Sequence, residues 1–354
     1  MLIPRFISTA VYLFLIIMKQ FLFIAVLLMG LCSCQNGTKI QEDYQKRDSN
    51  ILPSWHLVQG IDADSLPLHH GFTKLQVIND YLLVIDYQTK DYFIHILKLD
   101  DFSFVKSILP KGHGKGEIVQ INGTFTDSPN HTFYVQDLGR RVFKLNIDSV
   151  INCENYQPIC IHNWGNNPKI HALECSMVQY PLTIANTMEP TGASGFNQSI
   201  VSYNLESGEI CKFDYNHPKA TTKRIEVIAS KDYNVCAALY HNRDLITLYD
   251  LDGNVLKNIY GPDWKNDDDA HGLYYFASAV MAEDRIFALH AGTDYNNDSA
   301  PQKIIVFDLY GNYLKTMDME SHRLGTSICY DCKYKRIFFS TDEHEIAYIQ
   351  LEKL

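Results

Sequence analysis

The sequence has little positive charge, and this deficit limits the partners that it can bind. It contains 31 Lys and Arg residues against 41 Asp and Glu residues, which gives a formal net charge of −10 at pH 7. A net acidic surface repels nucleic acid and anionic lipid. Nucleic acid is therefore set aside as a partner.

The sequence also lacks the local motifs of common hydrolases and metalloenzymes. It has neither a Gly-x-Ser-x-Gly turn, which exposes a nucleophilic serine, nor a His-Glu-x-x-His pair, which binds zinc. Its 14 His residues are scattered, and none form a pair with clear metal-ligand spacing. We therefore predict no metal or cofactor and name no catalytic residue, although a site assembled from distant segments would leave no such motif. The His residues at predicted strand ends or loops, where such a site could form, are His69, His70, His241, His290 and His344.

No segment shows a sustained 3.6-residue period of helical length. Gly (19 residues) and Pro (12 residues) are not in excess, which excludes a long linker or low-complexity tract. From residue 55 onward, nearly every apolar run is short, rich in Val, Ile, Tyr, Phe and Leu, and bounded by turn residues. The 22 Tyr and 18 Phe residues also favour strands. The sequence predicts an all-β fold.

The nine cysteines do not form the pattern of a disulfide scaffold. Their spacing is irregular. Seven cysteines follow Cys34, and an odd number cannot pair fully within one chain, so we expect at most one or two disulfide bridges. Cys329 and Cys332 have the spacing of a redox pair but lie at a predicted β-turn. No second Cys-x-x-Cys exists to complete a zinc site. A turn disulfide and two free thiols both remain open.

Residues 11–31 are almost wholly apolar and are interrupted only at Lys19 and Gln20. If Met18 is the true start, a short basic segment precedes an 11-residue apolar run, which suits a signal peptide and is too short to span a bilayer as a helix. If Met1 is the start, the whole stretch is a signal anchor. We favour cleavage because of the four residues that follow.

The sequence Leu-Cys-Ser-Cys at residues 31–34 resembles a lipobox, the recognition site of lipoprotein signal peptidase. This predicts a signal peptide over residues 1–33 and an acylated Cys34 as the first mature residue, held in the lipid bilayer by several acyl chains such as palmitate. Gln35 stands where Asp would retain a lipoprotein in the inner membrane, so we expect an outer membrane lipoprotein, on either face. Residues 34–50 are polar and predict a flexible tether.

A repeated nine-residue segment indicates the architecture. YDLDGNVLK at residues 249–257 matches FDLYGNYLK at residues 307–315 at seven of nine positions, counting aromatic pairs. Each segment predicts a hairpin whose turn contains Gly253 or Gly311, followed by a strand that begins at Val255 or Tyr313. Weaker copies begin at residues 97, 143 and 203, which gives spacings of 46, 60, 46 and 58 residues.

These spacings fit four-stranded propeller blades of about 40 to 50 residues with loop insertions. A sixth unit begins near Leu324 but has only three strands, while the predicted strand Trp55–Ile61 has no blade of its own. Pairing that strand with the last blade closes the ring and covers an open sheet edge. We predict a monomeric six-bladed β-propeller over residues 51–354. The alternative is an irregular β-sandwich with fortuitously similar turns.

The chain resembles the six-bladed propeller lipoproteins of Bacteroidetes that are described as TolB-like or NHL-like. The resemblance is carried by the lipobox at Cys34, by KGHGKGE at residues 111–117 and by DLGRRVF at residues 137–143. Lys115 departs from the Pro that is usual in the family. The resemblance implies a propeller and an envelope location, and it implies no reaction.

Two loops are candidate ligand sites. The Gly-rich loop 111–117 could bind a phosphate through its backbone N–H groups, but it lacks a following helix and a nucleotide-loop Lys-Ser/Thr, which favours a blade-to-blade connection. The acidic run Asp267–Asp269 lacks calcium-loop spacing and is interpreted as a solvated charge run. Loop position alone makes His113, Arg140 and Arg141 candidate binding residues.

The sequence favours a membrane-anchored binding or interaction module with an unknown ligand or protein partner. The alternative is a propeller-type hydrolase or lyase that acts on glycans or peptides at the outer membrane. An assembly scaffold would instead require a large exposed apolar patch. Polar groups that converge from several blades around a metal or an acid–base pair would favour the enzyme, whereas a funnel of aromatic side chains would favour binding.

Overall fold

The computed structural model describes residues 40–63, 66, 68, 73–138, 140–164, 171–190, 196–220, 224–265, 273–294 and 300–353. Residues Gln41–Leu354 form one compact unit. The described residues contain short 3-10 turns and one short α-helix, α1 (Ile147–Asn152). Their strands are, in chain order, β1 (Gln41–Tyr44), β2 (Ile51–Pro53), β3 (Gln59–Ile61), β4 (Thr73–Ile78), β5 (Tyr81–Asp86), β6 (Tyr92–Lys98), β7 (Phe104–Pro110), β8 (Ile121–Asp127), β9 (Thr132–Asp137), β10 (Arg141–Asn146), β11 (Ile159–Asn163), β12 (His171–Gln179), β13 (Leu182–Pro190), β14 (Phe196–Asn197), β15 (Ile200–Asn204), β16 (Ile210–Lys212), β17 (Ile225–Ser230), β18 (Val235–Tyr240), β19 (Leu245–Tyr249), β20 (Val255–Tyr260), β21 (Leu273–Ala282), β22 (Arg285–Asp294), β23 (Lys303–Asp308), β24 (Tyr313–Asp318), β25 (Leu324–Asp331), β26 (Arg336–Thr341) and β27 (Ile346–Gln350).

These strands form six sheets, the blades of a propeller, in which every pairing is antiparallel except those of β1 and β2. Blades 1 to 6 begin with β4, β8, β12, β17, β21 and β25 respectively. Each of these first strands contacts the first strands of the two neighbouring blades, so the six together enclose a central channel. Six apolar clusters lie between neighbouring blades and form the core. The predicted all-β six-bladed β-propeller is confirmed.

The ring closes as predicted, through a strand from the N-terminal side of the propeller. β3 pairs antiparallel with β27, with Ile61 opposite Ile346, and supplies the fourth strand of blade 6. The predicted strand Trp55–Ile61 is too long, because Trp55–Leu57 form a 3-10 turn in which the Val58 N–H bonds back to the Trp55 carbonyl at 2.9 Å. Only Gln59–Ile61 remain extended.

The segment before this strand differs from the expected tether. Residues 41–53, which we name the N-terminal strap, run along two blades: β1 pairs in parallel with β20 of blade 4, and β2 pairs in parallel with β24 of blade 5. Between the two strands, the side chain of Arg47 is 3% exposed and forms an ion pair of 2.6 Å with Asp244. Residues 41–50 are therefore bound to the propeller, so the predicted flexible tether does not extend to residue 50.

The repeated turns have the chemistry that the sequence predicts. The Asp308 carboxylate accepts hydrogen bonds from the backbone N–H groups of Tyr310 (2.9 Å) and Asn312 (2.8 Å), and Asp250 does the same in the copy at residues 249–257. Gly311 has a φ of 79°, which favours glycine. The weaker copy at residue 143 differs, because Asn146 caps α1 and the chain continues as a helix there.

Replacing Asp308 with Ala is expected to lower the free energy of unfolding by about 1–3 kcal/mol, because two backbone N–H groups lose a charged acceptor. Urea unfolding of the purified protein measures this loss. Tyr310→Ala in the same turn is the matched control, since that side chain is 79% exposed. Equal unfolding midpoints for the two variants would contradict the role given to the carboxylate.

Candidate functional site

The central channel contains a cavity of about 530 Å³ near the end where the first strands of the blades begin. Every blade contributes a polar side chain to its wall, because successive residues of a strand alternate between the channel and the core. In blade order, these side chains include Lys74, Asn122, Glu174, Glu226, Ser278 and Thr326. A second cavity, of about 280 Å³, lies further along the same strands.

Four of these side chains form a connected chain across the channel. Lys74 Nζ lies 3.1 Å from Glu174 Oε1, and the Glu174 carboxyl hydrogen-bonds the Glu226 carboxyl. The Ser278 hydroxyl donates to Glu226 Oε1 at 3.1 Å. All four residues line both cavities, so the chain lies where the two halves of the channel meet. We name these four residues the channel cluster.

The two carboxyls of the channel cluster have opposite pKa shifts. Burial alone would raise the pKa of Glu174, but the Lys74 ammonium and the hydrogen bond from Glu226 lower it to about 2. Burial and the neighbouring Glu174 carboxylate raise the pKa of Glu226 well above its usual range. Glu226 therefore keeps its proton and donates it to Glu174. The Glu174 carboxylate raises the pKa of Lys74 and keeps it charged, although burial opposes this effect.

Two further titratable side chains line the same cavity in neutral form. Burial lowers the pKa of His241, whose Nδ1 donates to the Phe276 carbonyl and whose ring stacks on Tyr274 with centroids 5.8 Å apart. Burial raises the pKa of Tyr87 to about 12. The wall thus presents one cation, one anion and several neutral hydrogen-bonding groups.

Glu226→Gln is expected to flatten the dependence of stability on pH. Because the pKa of Glu226 is raised in the folded state, the folded protein retains a proton that the unfolded chain releases above the ordinary Glu value of 4.5. Wild-type stability therefore falls as pH rises from 4.5 toward the folded pKa, and Gln removes this loss. Unfolding temperatures measured between about pH 5 and pH 8 test the difference. Glu352→Gln, at an exposed position, should keep the wild-type slope.

The binding residues proposed from loop position lie elsewhere. His113 is exposed in the loop between β7 and β8. This loop connects blade 1 to blade 2, which is the interpretation that the sequence favoured. Glu117 Oε2 accepts a hydrogen bond from the Gly114 N–H at 2.7 Å within the loop. Arg140 lies in the turn between β9 and β10. Arg141 pairs with the buried Asp137 and covers the Phe143 ring at 5.1 Å. None of these three candidates lines the channel cavity.

Other candidates from the sequence have mixed outcomes. Among the described cysteines, Cys329 is buried and Cys332 is exposed, and both are free thiols. Cys34, the pair His69 and His70, and the acidic run 267–269 lie outside the described residues. Within the part of the chain that the structure describes, no group of three His, Cys, Asp or Glu side chains could hold a metal ion.

Comparison with known proteins places the chain by fold alone. A member of the DUF4221 family from Bacteroides vulgatus superposes with a TM-score of 0.55 at 12% identity, over 83% of this chain and 95% of that one. A luciferin-regenerating enzyme gives a TM-score of 0.53 at 11% identity, over 83% of this chain and 94% of that one. The calcium-binding protein regucalcin from Agrobacterium tumefaciens gives 0.50 at 12% identity, over 85% and 94%.

No protein-family model matches the sequence, and no curated protein matches it. By its fold and its channel, the protein belongs to the class of six-bladed β-propellers with a polar channel cavity. In the residues that the structure describes, no helix has both the length and the apolar character needed to cross a membrane.

Proposed function

We propose that the protein is an outer membrane lipoprotein whose propeller binds a small polar ligand in the channel cavity. The observation that carries the binding function is the convergence of polar side chains from all six blades on one cavity of about 530 Å³. That volume lies within the range of about 300–1,000 Å³ typical of small-molecule sites. Anchoring is supported by the lipobox residues Leu31–Cys34 and by the resemblance to Bacteroidetes lipoproteins.

The alternative function, a hydrolase or lyase, draws support from the same carboxyl pair, since paired carboxyls with opposite pKa shifts serve general acid–base catalysis. The geometry argues against glycoside hydrolysis. Glu174 and Glu226 hydrogen-bond each other, whereas the two carboxyls of most glycosidases stand about 5 Å or more apart to admit substrate or water. Glu174 is also bound to Lys74, which reduces its strength as a base.

Binding in the channel is tested by screening monosaccharides, amino acids and dipeptides for a rise in unfolding temperature. Asn122→Ala and Lys74→Gln should reduce the rise caused by an active compound, because both side chains line the cavity. His113→Ala and Arg140→Ala are the matched controls from the loops and should leave the rise unchanged. The reverse pattern would place the ligand at the loops and overturn the channel site.

Anchoring is tested by labelling cells with a lipid precursor in a Gram-negative host. Cys34→Ala should lose the label and leave the membrane fraction. Cys32→Ala keeps a small residue in the lipobox and should retain both. Equal labelling of the two variants would overturn the lipoprotein assignment without bearing on the channel.

A further inference from the structure

The channel cluster holds one proton that a ligand can replace. Lys74 carries one positive charge, Glu174 one negative charge, and Glu226 is neutral because its proton is shared with Glu174. This arrangement is electrically balanced only while the proton stays. If a singly charged cation takes its place, two carboxylates face two cations and the balance is preserved.

The cavity wall also holds unused hydrogen-bonding groups. Thr73 is only 4% exposed and lines the cavity, yet its hydroxyl has no hydrogen-bond partner in the structure. The same holds for Oδ1 of Asn122, an acceptor on the next blade. Buried polar atoms without a partner are costly, so these positions call for a ligand that supplies hydrogen bonds.

The hydrogen-bond acceptors in the cavity wall favour a ligand that is rich in hydrogen-bond donors. Carboxylate oxygens of Glu174 and Glu226 and the amide oxygen of Asn122 all accept, and a protonated amine brings three N–H donors. The ring of Tyr274 in the same wall suits a cation as well. An anion is disfavoured, because Glu174 already neutralises Lys74.

A metal ion fits this site less well than an amine. Calcium takes six to eight oxygen ligands and magnesium demands near-octahedral geometry. Here one carboxylate is already bound by the Lys74 ammonium at 3.1 Å. No described group of three acidic, His or Cys side chains is available. An ammonium group needs only a few acceptors.

We propose that the channel site binds the ammonium group of an organic amine between Glu174 and Glu226, and that the shared proton is released to solvent as the amine enters. The step is charge-balanced, since one cation enters and one proton leaves. This proposal rests on the proposed channel site and specifies the class of ligand that the site binds. The other titratable groups in the wall of this cavity are Lys74, Tyr87, His241 and Tyr274, and the exchange takes its proton from the carboxyl pair alone.

The experiment is titration calorimetry of the purified full chain with 4-amino-1-butanol, which carries one positive charge at pH 7, in two buffers that differ in ionisation enthalpy. The difference in heat between buffers gives the number of protons released, and about one per bound amine is expected. 1,4-Butanediol is the matched neutral probe and should bind at least tenfold more weakly, with no proton released.

Variants assign the proton to the channel cluster. Glu226→Gln mimics the protonated carboxyl, so it should fold, lose the proton release and bind 4-amino-1-butanol at least tenfold more weakly. Asn122→Ala keeps the carboxyl pair and should weaken binding several-fold while proton release persists. Glu352→Gln, exposed and remote in sequence from the channel strands, should match the wild type.

The outcomes separate this inference from the proposed function. Failure of 4-amino-1-butanol to bind, binding without proton release, or proton release that survives Glu226→Gln each overturns the amine site. If a saccharide, which has no ammonium group, still raises the unfolding temperature and loses that effect in Asn122→Ala, channel binding stands and only the ligand class fails.

Discussion

Replacing Arg336 with Met is expected to lower the free energy of unfolding by about 3–5 kcal/mol, because it leaves a buried carboxylate without its cation. Asp331 is fully buried, and Arg336 donates to its Oδ2 from Nε at 2.9 Å and from Nη2 at 2.7 Å. Nη2 also donates to the Leu99 carbonyl at 2.7 Å, which joins blade 6 to blade 1. The guanidinium therefore holds the two blades that meet where the ring closes.

The aromatic surroundings of Arg336 sharpen this prediction. Its guanidinium lies 4.4–5.4 Å from the ring centroids of four aromatic side chains, Phe102, Tyr334, Phe338 and Tyr348. Arg336→Lys keeps the charge but loses the planar two-donor contact and the stacking, so an intermediate loss is expected. Asp331→Asn combined with Arg336→Met should recover part of the stability, because no unpaired charge remains.

Urea unfolding measures all three variants. Arg285→Met is the control, since Arg285 pairs with Asp284 at 3.5 Å on the surface and should show no measurable change. Stability of Arg336→Met equal to that of the control would mean that the blade 6 to blade 1 contact does not depend on this ion pair.

Arg47→Met is expected to lower the free energy of unfolding by a similar amount, about 3–5 kcal/mol, and also to release the N-terminal strap from the blades. Arg47 Nη1 lies 2.6 Å from Asp244 Oδ1, with side-chain exposures of 3% and 1%. The guanidinium also lies over the rings of Phe276 (5.8 Å) and Phe307 (5.0 Å). Without Arg47, the strap keeps β1, β2 and side-chain contacts such as the 3.0 Å ion pair between Asp43 and Lys257, but it loses its buried ion pair with Asp244.

Two measurements separate strap release from general destabilisation. Limited proteolysis should cut Arg47→Met within residues 41–53 before it cuts the blades, whereas Arg336→Met should not show this order. His290, buried near Asp244, has its pKa lowered to about 4 by burial and by Arg47, against the opposing effect of Asp244. Its pKa, followed by NMR, should rise in Arg47→Met because the opposing carboxylate is then left unbalanced. An unchanged strap and an unchanged His290 would contradict the anchoring role of Arg47.

The blade count could be predicted because it depends on local chemistry. The Asp-x-x-Gly-Asn turns after Asp250 and Asp308 place carboxylate and glycine within five residues, so the pattern is visible in one segment. Ring closure followed from counting strands, since a three-stranded last blade left an open edge for β3.

The channel cluster could not be predicted, because its members are far apart in sequence. Lys74 and Glu174 are separated by 100 residues, and Glu226 and Ser278 by 52. Only the propeller ring brings them together. A usable signal exists once the blades are assigned, because Lys74, Asn122 and Glu226 are each the second residue of the first strand of a blade, with an apolar residue on at least one side. The strap escaped prediction for a related reason, since β1 is a polar QEDY segment.

The strap also determines how far the propeller can travel from its proposed anchor. With β1 beginning at Gln41, only residues 35–40 separate an acylated Cys34 from the folded domain. Six residues span at most about 21 Å when fully extended. Such a short linker would keep the edge of blade 4 near the bilayer and restrict the rotational motion of the whole domain. Whatever enters the channel would then meet a propeller that stays within about one protein diameter of the lipid.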